Sequence, residues 1–353
     1  MIATEEGRNY PFPKFVWNQW TRDFKAPAIS LEERTCIVTG ANQGLGYATV
    51  VHFAKKNASQ IIMAVRSVAK GREAAEQVYR DVPTFHGLVT VYELDMASFD
   101  SVRAFAERVK TELTKVDILI LNAGLAAISW RCTRDGWEET IQVNVLSTGL
   151  LALLLLPKLS NTSRKPHLVI VTSDSAFFVT LDDGCALTVS MLDAFNDKNQ
   201  HVPSDKYRTS KLLDLLLARQ IASLPAAAKV TVNSANPGLC ASQLSRELPL
   251  PVRLFMRLLA WPVPKGAENI VTAAIMDTKP GAYVSDCIET LPSMFVVSER
   301  GQAAQRKLWQ EVTALYKKVA PEVKSTLSGN LQSIVSSTSW VSARDETGIH
   351  PPT

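Results

Sequence analysis

Thr39-Gly40-Ala41-Asn42-Gln43-Gly44-Leu45-Gly46 stands between two contrasting patterns. Before it lies Cys36-Ile37-Val38, a short apolar run with β-branched residues, and after it Tyr47 to Lys56 reads as a helix. A strand that ends in a glycine-rich turn and opens a helix makes an anion site. The first N–H groups of the helix point outward, and its dipole favours negative charge there. Glycines let the turn fold sharply and admit a pyrophosphate where a Cβ would intrude. The spacing G-x-x-x-G-x-G differs from the G-x-G-x-x-G fingerprint, and such turns also simply close βα units. The strand before and the helix after favour dinucleotide binding.

Outward from this turn, strand and helix patterns alternate. Strands are expected at 35–39, 60–65, 88–93, 116–121, 167–172, 229–235 and 282–285, with helices near 44–57, 69–81, 98–114, 134–159, 206–223 and 265–277. Strands separated by helices imply right-handed crossovers and a parallel sheet covered on both faces. Ile61-Ile62-Met63-Ala64-Val65 and Val116 to Leu121 are mostly apolar rather than alternating, as two-sided burial requires. The expected fold is α/β, a Rossmann-type doubly wound parallel sheet of about seven strands. It forms a single domain with extensions at both ends.

With 46% hydrophobic and 20% charged residues, the chain has the composition of a globular protein. A net charge of +4 spread along 353 residues leaves no nucleic-acid footprint. The five cysteines are far apart and form no C-x-x-C pair, and the five histidines are scattered, so neither a metal site nor a disulfide framework is expected. Reducing, cytoplasmic surroundings follow. Glu5, Glu6 and Arg8 interrupt the place of a leader's apolar core, and the run Leu150 to Leu156 stops at Pro157, too short to cross a bilayer. No transmembrane segment is expected.

Such sheets bind ligands beyond the carboxyl ends of their strands, so chemistry is sought there. After the second strand come Arg66 and Lys70, which suit a 2′-phosphate and favour NADP(H) over NAD(H); the alternative is two solvated charges at a helix start. Asp95 after the third strand either caps the next helix or borders an adenine. Asn122-Ala123-Gly124 after the fourth permits close backbone approach to a cofactor. Ser173 ends a strand with a hydroxyl. Tyr207 and Lys211, four residues apart, share one helix face. A tyrosine of pKa about 10 is a poor base near neutrality, but a nearby ammonium with a nicotinamide cation would lower that value. The phenol can then exchange a proton with an oxygen that Ser173 also hydrogen-bonds. Taken alone, Tyr and Lys at this spacing often recur without function.

The set Thr39-Gly40-x-x-x-Gly44-x-Gly46, Asn122-Ala123-Gly124, Asn144, Ser173, Tyr207-x-x-x-Lys211 and Asn236-Pro237-Gly238, in this order, resembles the short-chain dehydrogenase/reductase family over roughly residues 33–290. The glycine spacing is similar to that of its dehydrogenase/reductase branch, and Ala64 to Gly71 resembles retinol-dehydrogenase-like and fungal secondary-metabolite reductases. The resemblance implies Tyr207 as general acid/base, Lys211 as its pKa partner and ribose ligand, Ser173 as the carbonyl's hydrogen-bond donor, and Asn144 as the holder of a relay water. It also implies that Gly40, Asn42, Gly44, Leu45, Gly46, Arg66, Asp95, Asn122 and Lys211 line the cofactor, with Pro237, Gly238 and Ser242 beside the nicotinamide.

The chain then divides into an extension at 1–32, a nucleotide-binding domain at 33–320 and a tail at 321–353. The proline- and aromatic-rich start of the chain is expected to pack on the main body. The Ser173–Tyr207 interval is longer than the family's, and segments 174–205 and 239–264 are expected on the substrate side, the first as a lid or as surface decoration. Leu248, Leu250, Val252, Leu254, Phe255, Leu258, Leu259 and Trp261 argue for a small apolar ligand. Arg253 and Arg257 leave peripheral membrane contact as a weaker option. Helices 98–114 and 134–159 could pair two copies, as in family members. The reaction implied is NADP(H)-dependent interconversion of an apolar ketone and a secondary alcohol (terpenoid, polyketide or steroid-like), as in secondary metabolism. The rivals are a NAD-dependent retinol-type alcohol dehydrogenase and a non-catalytic dinucleotide-binding scaffold.

Overall fold

The computed structural model describes residues 21–162, 164–181, 190–200, 202–241 and 258–328. Strands β1 (Thr35–Thr39), β2 (Gln60–Val65), β3 (Leu88–Glu93), β4 (Ile118–Leu121), β5 (His167–Val171), β6 (Thr231–Ala235), β7 (Ala282–Ser285) and β8 (Ile288–Thr290) form one sheet. Their order is β3-β2-β1-β4-β5-β6-β7-β8, parallel throughout except for the last pair. The strand order reverses between β1 and β4, the switch point at which such sheets open a ligand crevice.

β8 adds one strand to the seven expected. The turn before it holds Asp286 and Cys287 at φ 55° and 58°. Two left-handed residues make the primed turn that suits a tight hairpin, and Asn-Gly is its usual signature. Asp-Cys gives no such signal.

The helices are α1 (Gly44–Lys55), α2 (Val68–Asp81), α3 (Phe99–Glu112), α4 (Ser147–Ser160), α5 (Met191–Asn196), α6 (Pro203–Ala222), α7 (Val263–Ile275) and α8 (Glu299–Val319). One buried cluster joins Val50 and Phe53 of α1, Val78 of α2 and Ile270 of α7 to one sheet face. The other joins Phe105 of α3, Leu150 to Leu156 of α4, Leu213 and Leu216 of α6, and Leu308 and Tyr316 of α8. The doubly wound architecture is as the sequence predicts. Residues 139–160 are apolar and long enough to span a bilayer, but 94% of that window is buried inside the fold, so this is a core helix.

The helix expected at 134–159 begins later. Residues 131–139 instead fold back on themselves, with Thr133 N donating to Trp137 O at 2.8 Å and Glu139 N to Arg131 O at 2.9 Å. A short turn, Glu139–Ile141, then leads into a π-helical turn at Gln142–Leu146 and on to α4. At the chain's start, Phe24 packs edge-on against Trp261 with ring centroids 5.0 Å apart, and Arg22 pairs with Asp286 at 2.6 Å. Ser242, most of 239–264 and the end of the 321–353 tail lie outside the described residues.

Candidate active site

The glycine turn is built to admit something at its surface. At Gly46, an added Cβ would stand 2.3 Å from Gly40 O and 2.6 Å from Asn122 Nδ2, so only glycine fits. Asn122 braces this turn from β4: its Nδ2 donates to Thr39 O at 2.8 Å, and Thr39 Oγ1 accepts from Asn122 N at 2.9 Å. Gln43, the N-cap of α1, makes no side-chain cap bond. The first N–H groups of α1 are therefore left to a ligand, and the cradle fits a dinucleotide's phosphates. Gly40 and Asn42 lie in the turn itself, and Gly44, Leu45 and Gly46 in the first turn of α1.

Gly40 N donates to Ala64 O at 2.8 Å, which sets the end of β2 beside the turn. Arg66 and Lys70 follow there, both exposed. Asp95 does not cap the next helix, whose N-cap is Ser98, its Oγ accepting from Ser101 N at 3.3 Å; Asp95 Oδ1 instead accepts from Ala97 N at 3.0 Å, and its backbone N donates to Ser101 Oγ. On the far side, Asn236 Oδ1 accepts from Gly238 N at 3.0 Å and from Asp174 N at 3.1 Å. Gly238 has φ +72°, and a Cβ there would meet the Trp261 ring at 2.4 Å. A Cβ on neighbouring Gly266 would stand 2.1 Å from Cys240 Sγ, 2.8 Å from Pro237 O and 3.2 Å from Leu45, so the Pro237–Gly238 turn closes against the glycine cradle.

The reacting groups converge between these walls. Ser173 leaves β5, and its Oγ accepts from Ser175 N at 3.1 Å. Tyr207 and Lys211 come from the first turns of α6. Lys211 Nζ donates to Val171 O and to Asp214 Oδ2, each at 2.9 Å. A Cβ on Gly124 would lie 3.6 Å from Nζ and 3.3 Å from Asn144 Oδ1, so that glycine lets β4's loop approach. Asn144 sits in the π-helical turn. Its Nδ2 donates to Leu125 O and Ser210 Oγ, both at 2.9 Å, and its Oδ1 accepts from Leu125 N. A π turn placing one side chain into a site recurs at functional positions.

Burial raises the Tyr207 pKa, and Asp174 and Asp214 push it higher, while the Lys211 ammonium and the Ser173 hydroxyl pull it down, the direction expected of the ammonium. Burial works against the Lys211 ammonium too, but Asp214 and Tyr207 together hold the lysine above its ordinary value. Burial in turn pushes the Asp214 carboxyl up, despite Lys211.

Asp214 and Asp174 are charged neighbours that motif reading misses. Asp214 had a signal, since an acid three residues beyond Lys211 shares its helix face. Trp261, expected as part of an apolar segment, lies against Gly238, a contact that no motif announces. The charges around Tyr207 also resolve: Arg208 pairs with Asp205 at 3.4 Å, and buried Lys206 reaches Phe195 O. The latter ties α6 to the segment carrying α5. Glu311 of α8 receives Met191 N at 3.0 Å and Leu192 N at 2.9 Å at the start of that helix.

A phenol, a buried ammonium and a hydroxyl beside a phosphate cradle can hold an oxygen and exchange its proton. Comparison with known proteins gives the family. The family model described as short chain dehydrogenase matches residues 34–183. The short chain dehydrogenase/reductase dmxR8 of Cryptosporiopsis sp. is 36% identical over 321 residues, covering 88% of this chain and 99% of its own. The short chain dehydrogenase sol3 of Alternaria solani is 36% identical over 264 residues, covering 73% and 90%. Among solved structures, an uncharacterized protein from Mycobacterium paratuberculosis is 28% identical with a TM-score of 0.61, covering 82% of this chain and 98% of that one.

Proposed function

This chain belongs to the short-chain dehydrogenase/reductase family and is an oxidoreductase, and we propose that it prefers NADP(H) and interconverts an apolar ketone and a secondary alcohol. A terpenoid, polyketide or steroid-like compound of secondary metabolism, handled in the cytoplasm, is the substrate class. The observation that carries the cofactor preference is Arg66 with Lys70, both exposed where β2 ends beside the glycine turn. No carboxylate stands between them, whereas NAD sites place one there for the ribose hydroxyls. The apolar substrate rests on the composition of 239–264, with Trp261 buried against Gly238.

When bound, the cofactor supplies or accepts hydride at its nicotinamide. In the reductive direction Tyr207 gives the substrate oxygen a proton while Ser173 donates a hydrogen bond to it. Lys211 favours the phenolate left behind. Asn144 stands behind Lys211, where the family's relay water would be held.

Calorimetric titration with NADPH and NADH tests the preference. NADPH binds more tightly on this reading, and Arg66→Asp removes roughly tenfold of that advantage, about 1.4 kcal/mol for one lost phosphate contact. Tyr207→Phe should bind NADPH and lose turnover of a panel of apolar ketones. A preference for NADH would favour retinol-type alcohol oxidation. Nucleotide binding without turnover of any ketone or alcohol would favour the scaffold, and binding of neither would refute the cofactor assignment.

A further inference from the structure

We propose that residues 22–27, which precede the nucleotide-binding domain, belong to the substrate-side wall: Phe24 and Lys265 position Trp261 over the Pro237–Gly238 turn, and so help set which ketones the site accepts. The inference rests on the oxidoreductase reading, which puts that turn beside the nicotinamide.

Segment 239–264 is closed by its own neck. Trp261 N donates to Leu239 O at 2.8 Å and Ala241 N to Trp261 O at 3.0 Å, so the returning chain runs parallel to the departing one at Cys240. Cys240 Sγ in turn donates to Pro237 O at 3.3 Å. The Trp261 ring then falls on Gly238, where a Cβ would meet it at 2.4 Å, and is almost wholly buried. Two backbone bonds fix the chain at this point but leave the orientation of the ring to whatever packs on it.

That packing comes from the start of the chain. Phe24 meets the indole edge-on, with ring centroids 5.0 Å apart and the planes at 73°. Lys265, in the first turn of α7, places its ammonium 5.2 Å from the centroids of both rings and donates to Arg22 O. Both kinds of contact are directional and add to the area they bury, so together they orient the indole. The stretch is tied on either side of Phe24. Ala26 N donates to Glu268 Oε2 of α7 at 2.7 Å, and Lys56, just past α1, donates to Pro27 O. At the other end Arg22 pairs with Asp286 in the β7–β8 turn at 2.6 Å, a partly exposed ion pair that contributes little by itself. Residues 22–27 thus cross the neck from the β7–β8 turn to α1, and the aromatic contact is the link that reaches the site. Neither ring belongs to the two buried clusters that hold the sheet, so the pair can be loosened with the fold intact.

Phe24→Ala and, separately, Lys265→Met test this in the full chain with NADPH, comparing α-tetralone, a bicyclic ketone, with the smaller cyclohexanone. Relative to cyclohexanone, kcat/KM for α-tetralone should fall about 3- to 10-fold, while the NADPH dissociation constant changes by less than about twofold. Phe24→Tyr, which keeps the ring, should keep the wild-type ratio. In Phe24→Ala, amide hydrogen exchange at Ala241 and Trp261, the two donors of the neck, should quicken by a similar factor with the β5 amides unmoved. A ratio that does not fall, including equal losses on both ketones, would overturn the inference, because a role in folding alone would lower both rates together. Unchanged exchange at the two neck amides would overturn it as well. If the wild-type protein reduces neither ketone, the preceding functional reading falls, whereas the exchange rates still decide whether Phe24 holds the neck.

Discussion

Gly46→Ala sets two opposed effects against each other at the second residue after the start of α1. Alanine is the better helix former, worth about 1 kcal/mol over glycine. The added Cβ, however, would stand 2.3 Å from Gly40 O and 2.6 Å from Asn122 Nδ2. A normal contact requires the Gly40 carbonyl to retreat by about 1 Å. That carbonyl cannot move alone, because Gly40 N is tied to Ala64 O and Asn122 Nδ2 to Thr39 O, both at 2.8 Å. Forcing extra volume into such packing costs roughly 1–3 kcal/mol, so the clash cancels or exceeds the helix gain. Stability should change little, by a few degrees in Tm at most. Nucleotide binding should change far more, since the displaced backbone is the cradle itself. A loss of roughly ten- to a hundredfold in NADPH affinity corresponds to about 1.4–2.7 kcal/mol. Calorimetric titration of NADPH beside thermal unfolding separates the two. Wild-type NADPH affinity in a folded Gly46→Ala protein would refute the assignment of this turn as the phosphate cradle.

Three further outcomes follow from buried charge and from capping. Asp214→Asn leaves the Lys211 ammonium buried without its carboxylate and should cost about 3–5 kcal/mol in urea unfolding, whereas Lys211→Met combined with Asp214→Leu should recover much of that stability without recovering turnover. His167, buried at the start of β5, is pushed down to about 4 by burial and by Arg34 and Lys165, against Asp277. The unfolded chain then binds the extra proton between that value and about 6.5, so this residue makes stability rise with pH across the window, by about 3 kcal/mol. His167→Gln should flatten that part of the unfolding profile, and an unchanged slope would contradict it. Glu311→Ala removes the acceptor of Met191 N and Leu192 N. It should cost about 1–2 kcal/mol and speed hydrogen exchange at those two amides first.

What could be read from the sequence divides along local and tertiary lines. Strands buried on both faces announce themselves as unbroken apolar runs, and Ile61 to Val65 lies where its pattern puts it. Amphipathic helices such as α3 do the same through spacing. The expected start at 134 overlooked a turn signal: Asp135-Gly136 is a turn pair, and Gly136 takes φ 84° inside the fold-back closed by Thr133 and Trp137. β8 was hidden because its primed turn carries Asp-Cys, and Trp261 because its contact with Gly238 joins parts of the chain that no short motif links.

The catalytic residues show the same division inside one site. Tyr-x-x-x-Lys specifies a geometry, two side chains on one helix face, and that geometry is present. It does not specify the charge that either group carries. The lysine pulls the phenol down as its spacing suggests, yet burial raises it by more, Asp174 and Asp214 add to that, and Lys211 is itself shared with Asp214. Each of those carboxyls was visible in the sequence as an ordinary acid. Their effect arises only when β5, α6 and the turn after β6 place them around one hydroxyl, and so the protonation of this site belongs to its neighbours rather than to its motif.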